Sequence, residues 1–376
     1  MAEPVAVLNQ DGKDLGARRS KEPTKYAWID ALRGFAILGV LAHHSFQYVR
    51  GMSGPAKFLG GFGKMGVQLF FVASAITLCL STAKRAERHP VLSFYVRRYF
   101  RIAPLYYLAI IFYALYSVPF NYLHGFGLHA DAVYTAPNIV ANVLFLHGFY
   151  EPANNNVVPG GWSIATEMSF YAIFPLMFAM FEYLGKWRLA VAGLIIALCG
   201  VLEVARHWTW TDFQYFSLLN QLPVFVIGIL AYYQIKNPAA KKLPIVIAGV
   251  LALLVAAGLL NSAAPISYYF LPMLCACTFA ALALVLSRLS IRYPPLLVNI
   301  GKRSYSIYIL HMAFLHLVLF GRSGLSAHLS PSLECLAVFL LTLGLSYLGA
   351  KVTERQIERR GIDLGHRIVA AIQARG

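Results

Sequence analysis

An arginine and a histidine, Arg33 and His44, sit inside one apolar stretch of the chain, residues 28–48. Charged and titratable side chains are costly in a bilayer core, so such a pair marks a functional site by default. Eleven helical steps separate them by about 16 Å, roughly half the hydrocarbon thickness. One helix therefore sets a fixed cation toward one membrane face and an acid–base group toward the other. Three further groups have spacing suited to chemistry. Arg98 and Arg101 lie three apart and share a helix face. Their guanidinium forks suit phosphate oxygens, and the neighbouring Tyr95, Tyr99 and Phe100 can stack on a planar ring. The same arginines would equally serve as a basic anchor for a span. Glu167 has Ser163 and Tyr171 one turn away on either side, with Trp162 just before them. It is a candidate to orient a histidine or a substrate hydroxyl, the alternative being a carboxylate bound to a neighbouring helix. Ser304, Tyr308 and His311 share another helix face, where a plain helix–helix polar contact is the competing reading, as it is for His316.

The elements that must position these groups are transmembrane helices. Of 376 residues, 59% are hydrophobic and 13% charged, against about 25% charged in a soluble domain. Apolar runs near 28–48, 65–82, 102–120, 163–182, 188–205, 218–235, 243–261, 268–287, 304–320 and 333–352 predict an all-α integral membrane protein, a polytopic bundle of about ten transmembrane helices. With the N-terminus in the cytosol, 26 of the 32 lysines and arginines fall on the cytosolic side, five outside and Arg33 within a span. That is the positive-inside pattern, with both termini cytosolic. It accounts for the net charge of +16 without a nucleic-acid partner. Residues 1–26 read as a disordered cytosolic tail with no cleavable signal peptide, 27–354 as one membrane domain, and 355–376 as a cytosolic C-terminal tail.

The segment 121–160 contains no lysine or arginine and is the longest stretch outside the spans. It carries His124, His129, Asp131, His147 and Glu151, and is placed to cover or line a site at the outer face. Within it, residues 139–149 are too short to cross and suit an interfacial or re-entrant helix. The five cysteines, Cys79, Cys199, Cys275, Cys277 and Cys335, all fall in predicted spans and read as packing residues. Cys275-Ala276-Cys277 lacks the two-residue spacer of a redox or zinc pair, and no metal site is expected.

Taken in order, these pieces resemble the membrane-bound acyltransferase-3 family, in its stand-alone form. The likeness runs from Trp28 to about Glu354. It rests on Arg33-x10-His44, on Gly66-Val67-Gln68-Leu69-Phe70-Phe71, on Arg98-x2-Arg101 with Pro104, on Trp162-Ser163 with Glu167, Phe170, Tyr171 and Pro175, on Ser304-Tyr305-Ser306 through His311, and on Glu354-Arg355. The spacing selects His44 over His43. One departure stands out: the family's Ser-Gly-Phe after the second motif reads Ser74-Ala75-Ile76 here, which adds a methyl group at a helix contact.

The resemblance implies transfer of an acyl group, commonly acetyl from acetyl-CoA, to a hydroxyl of a saccharide or lipid-linked saccharide in cell-surface or exopolysaccharide modification. It implies a multi-pass protein of the bacterial inner membrane, acyl-CoA as co-substrate and no permanently bound cofactor. Larger members carry an extra periplasmic esterase-like domain, which this chain is expected to lack. His44, Arg33 and Glu167 are the implied catalytic residues. Arg98, Arg101 and Arg33 would bind acyl-CoA, and Trp162, Ser163, Tyr171 and His311 the acceptor. His44 acts either as general base on the acceptor hydroxyl or as a nucleophile through an acyl-histidine. The rival class is a saccharide or lipid transporter or flippase, which intramembrane Arg, His and Glu would also suit. A transporter, however, has no need of both Arg-x10-His and Arg-x2-Arg.

Overall fold

A computed structural model describes residues 26–49, 60–124, 130–206, 211–239, 242–260, 267–321 and 329–374. Residues 1–25 of the expected tail, His129, and the side chains of His124 and Asp131 lie outside the described residues. Every regular element among the described residues is helical. That is the outcome expected where backbone polar groups have no water to bond and must satisfy one another within the segment. The principal helices are α1 (Ala27–Gln47), α2 (Gly66–Thr82), α3 (Pro90–His124), α4 (Ala136–Val143), α5 (Gly161–Leu184) and α6 (Arg188–Arg206). They continue with α7 (Leu218–Lys236), α8 (Lys242–Leu260), α9 (Ser267–Arg288), α10 (Pro295–Lys302), α11 (Ser304–Phe320), α12 (Pro331–Thr353) and α13 (Arg359–Ala374).

Six helical runs among the described residues are long and apolar enough to cross a membrane, or seven if α10 and α11, bent by 81°, form one broken span. The ten crossings expected from sequence are therefore not reproduced by length and composition. α1 is absent from the six, carrying Asp30, Arg33, His43 and His44. The short apolar run Leu243–Leu259 is also absent, and Gly161–Arg206 forms one 46-residue run where two spans were expected. That run contains a break at Gly185, whose φ of +45° is the left-handed region that glycine tolerates.

α1 lies at the centre, touching α2, α9, α10, α11 and α12. Small residues bring its neighbours close, as is usual where no hydrophobic drive separates helix from lipid. A Cβ on Gly66 of α2 would lie 2.4 Å from the Ala36 carbonyl oxygen. One on Gly301 of α10 would lie 1.7 Å from the Asp30 carbonyl oxygen. The Ala75 departure is accommodated from the opposite side: α7 presents Gly228, where a Cβ would meet the Ala75 methyl at 2.7 Å. The glycine of that contact stands on the partner helix. Aromatic rings then fill the α2–α5–α7 layer, with Phe225 stacked on Phe71 at 4.5 Å and on Phe170 at 3.9 Å.

Three elements differ from their sequence outlines. α3 starts at Pro90, twelve residues before the predicted span, so Arg98 and Arg101 project from the helix itself. Residues 139–149 do not form one helix: α4 ends at Val143, Phe145 turns with φ +57°, and a 3-10 turn covers His147–Phe149. The expected C-terminal tail contains a helix, α13, seated on the start of α3 through Gly361 and Gly365 against Phe100. Gln373 Nε2 adds a 2.8 Å hydrogen bond to Ser93 Oγ.

Candidate active site

Two adjoining cavities run beside α1. The first, about 70 Å³, is lined by Arg33, Ser74, Arg101, Ser163, Glu167 and Tyr171, among others. Arg33 comes from α1, Arg101 from α3, Ser74 from α2, and the remaining three from α5. The i, i+4 spacing of Ser163, Glu167 and Tyr171 stacks them on the one face of α5 that meets α2. Ser74 Oγ donates to Glu167 Oε1 at 2.6 Å, and the Tyr171 hydroxyl donates to the same oxygen. These two donors hold the carboxylate in the cavity wall. Among the described residues neither Arg33 nor Arg101 forms an ion pair. The charged residues lining the cavity are these two arginines and Glu167, while the Asp30 and Glu358 carboxylates lie near enough to act on both arginines from behind the wall. The lining itself offers guanidinium donors to an anionic or strongly polarised group.

Around its basic end the packing is tightly tied. Glu354, at the start of the π-helical turn Glu354–Glu358, pairs with Arg303 at 2.9 Å and with Arg359 at 2.8 Å. Ser306 Oγ donates to Glu358 Oε2 at 3.0 Å. Burial pushes the Glu358 carboxyl above its ordinary pKa, and the nearby Arg101 charge opposes that rise.

The second cavity, about 580 Å³, is lined by His43, His44, Gln47, Lys64, Trp162 and Asp212, together with other residues. His44 Nδ1 lies 3.1 Å from Gln47 Oε1. An amide oxygen can only accept, so Nδ1 carries the proton and Nε2 keeps its lone pair. His43 is engaged elsewhere, its Nδ1 2.8 Å from the Gly60 carbonyl oxygen. The His311 ring packs 5.2 Å from that of His44, centroid to centroid, and its Nδ1 bonds the Tyr308 carbonyl. His311 is buried and lines neither cavity.

Of the residues singled out in sequence, Arg33, Arg101, Glu167, Ser163 and Tyr171 meet in the first cavity, while His44 and Trp162 meet in the second. Glu167 does not reach His44; Gln47 stands at that imidazole instead. Arg98 does not line either cavity. It lies over the Phe94 and Tyr171 rings at 5.8 and 5.6 Å and approaches Ser81 Oγ at 3.5 Å. Phe216 stacks on Trp162 at 4.4 Å and so covers one face of its ring. His316 packs edge-on against Tyr48, in keeping with a bundle contact.

Lys64, Asp212, Gln47 and Ser74 line the cavities without standing among the site residues expected from sequence. Gln47 had a visible signal, three residues beyond His44 on the same helix face. Ser74 stands shortly after the second family motif, but nothing local ties it to Glu167, 93 residues distant. In the 121–160 segment His147 is buried, with Nε2 3.0 Å from the Tyr106 hydroxyl and 3.1 Å from the Gly161 carbonyl oxygen. Burial depresses its pKa to about 4, although the Gly161 carbonyl favours the charged form. It thus pins the corner from which α5 begins, while Glu151 is exposed.

The profile of the Acyltransferase domain family matches residues 26–351. The chain is 26% identical over 363 residues to the O-acetyltransferase OatA of Staphylococcus aureus, covering 89% of this chain and 57% of that protein. It is 26% identical over 314 residues to the peptidoglycan O-acetyltransferase OatA of Listeria monocytogenes, covering 75% and 48%. A Komagataeibacter xylinus protein, named as a membrane-bound transacylase, BcsY, is 26% identical over 369 residues, covering 93% and 86%. The chain spans about half the length of the two OatA proteins. No solved structure matches it.

Proposed function

The chain belongs to the acyltransferase-domain family, and from that footing we propose that it transfers an acyl group, acetyl in the first instance, from acyl-CoA to a saccharide hydroxyl. The observation that carries this reading is that the two cavities adjoin, sharing Val67 and Tyr308 in their walls, with two guanidinium groups that form no ion pair among the described residues in one and His44 in the other. In our reading ten segments cross the inner membrane, Gly161–Arg206 dividing at Gly185, and both termini are cytosolic, as the distribution of basic residues suggests. Arg33 and Arg101 then face the cytosolic half, where acyl-CoA is found. Arg101 engages a phosphate, and Arg33 a phosphate or the thioester carbonyl. Arg98 acts through Tyr171, whose hydroxyl holds Glu167.

The acceptor, a lipid-linked or cell-surface saccharide, enters the His44 cavity. His44 Nε2 takes the proton of its hydroxyl as the oxygen attacks the thioester carbon, and Gln47 keeps the imidazole in the required tautomer. General-base action gives a ternary complex of donor and acceptor, whereas an acyl-histidine would give ping-pong kinetics. The relatives named as O-acetyltransferases favour this class over a transporter. The test is release of free CoA by the purified protein given acetyl-CoA and glycan acceptors, together with mass spectrometry of the glycan. Acetylated glycan with stoichiometric CoA is the expected result. Movement of glycan across a vesicle wall without acyl-CoA would establish the transporter instead.

A further inference from the structure

Val67 and Tyr308 are the only two residues that line both cavities among the described residues, so a passage between the cavities runs past this pair as its neck. We propose that this neck selects the acyl group by size, with Val67 as the residue that determines chain length; the proposal rests on the acyl-transfer reading above.

In that reaction the acceptor oxygen forms a bond to the acyl carbon, the carbon–sulfur bond breaks, the hydroxyl proton passes to His44, and sulfur leaves as the CoA thiolate. Donor and acceptor approach from opposite cavities, so the acyl carbon sits at the neck and its alkyl tail packs against the neck wall. That wall is apolar on the α2 side: Val67 is followed one turn later by Phe70 and Phe71, which line the first cavity. Phe70 meets the Tyr308 ring edge-on at 6.3 Å.

The wall also has little freedom to yield. The Tyr308 hydroxyl donates to the Gly160 carbonyl oxygen at 2.9 Å and accepts from Ser163 Oγ at 2.9 Å. Gly160 has φ +82°, and a Cβ there would lie 2.9 Å from that hydroxyl, so the ring is fitted to its corner. On the other side α2 is locked to α1 at Gly66. With the ring fixed by two hydrogen bonds and the valine buried on a locked helix, both walls of the neck hold their positions. Closely packed walls do not stretch to admit added methylene groups without strain.

The experiment compares acetyl-, propionyl- and butyryl-CoA as donors for the full-length protein in detergent micelles, scored as kcat/KM for CoA release. One methylene in an apolar pocket discriminates by about tenfold or more. Val67→Ala should raise the butyryl-to-acetyl ratio by about that factor, and Val67→Ile should lower the propionyl-to-acetyl ratio. If Val67→Ala does not accumulate, Val67→Ile still tests the neck from the narrowing side. Ratios equal to wild type in the Val67 variants would overturn the proposal while leaving acyl transfer intact. A wild-type protein inactive with every donor would instead refute the acyl-transfer reading itself.

Discussion

Replacing Gly301 by alanine tests whether the α1–α10 contact positions Arg33. The new methyl would lie 1.7 Å from the Asp30 carbonyl oxygen and 2.9 Å from the Gly34 amide nitrogen, whereas ordinary contact begins at 3.4 Å. Both opposing atoms are backbone, so no side chain can swing aside. The helices must part by about 1.7 Å to reach that contact distance. Overpacking of this kind costs about 1–3 kcal/mol. Asp30 and Arg33 are one turn apart on α1, so the displacement is passed directly to the arginine that faces Arg101. A misplacement of about 1 Å at a reacting centre can cost roughly a hundredfold in rate. The expected result for Gly301→Ala is therefore a lowered melting midpoint and CoA release reduced by one to two orders of magnitude, measured on detergent-purified protein. Gly193→Ala and Gly344→Ala are the controls. No atom lies within 4 Å of either added methyl, so each helix should gain about 0.5–1 kcal/mol. Wild-type stability and activity in Gly301→Ala would refute the coupling of this contact to the site.

Further outcomes follow from the same geometry. Arg101→Ala should raise the KM for acyl-CoA more than Arg98→Ala, because only Arg101 lines the cavity; equal effects in steady-state kinetics would return Arg98 to direct contact. Gln47→Ala removes one hydrogen bond from an exposed side chain, worth about 0.5–1.5 kcal/mol, so kcat should fall roughly 2- to 10-fold. Loss of the base itself in His44→Ala should cost about 10² to 10⁴. His147 is neutral in the folded protein, with a pKa near 4 against 6.5 when unfolded. The unfolded chain therefore binds the extra proton, and stability is fully present above pH 6.5 and lost as pH falls toward 4. The loss amounts to at most about 3 kcal/mol. A melting series over that range should show it in wild type and a flatter response in His147→Asn.

What the chain discloses before folding is whatever is local to one helix. The Arg33–His44 spacing and the Ser163–Glu167–Tyr171 face are set by 3.6 residues per turn, as is the Ser304–Tyr308–His311 spacing, although only Ser304 and Tyr308 of that set line a cavity. Pairing between helices is not local. Nothing near Glu167 indicates that Ser74 will bond it, or that Tyr308 will reach Gly160, 148 residues away. Hydropathy also misjudges ends and breaks. It misses the first twelve residues of α3, which are basic and aromatic, and the turn at Phe145. It also reads α13 as tail because charge dominates its composition, although two glycines let it seat against Phe100. His43 and His44 are adjacent and chemically equal; the Arg33-x10-His44 spacing favours His44, and the fold adds that His43 is bound to Gly60 and His44 to Gln47.

The central claim is that an acyl group passes from the Arg33–Arg101 end to the His44 end of one path. Proteoliposomes with the protein in a single orientation test it most directly, with radiolabelled acetyl-CoA supplied only on the side of the chain termini and a glycan acceptor enclosed on the other. Label on the enclosed glycan with the wild-type protein, and none with His44→Ala or Arg33→Ala, is the predicted result. Label that appears only when donor and acceptor share one side, or that persists in His44→Ala, would contradict it.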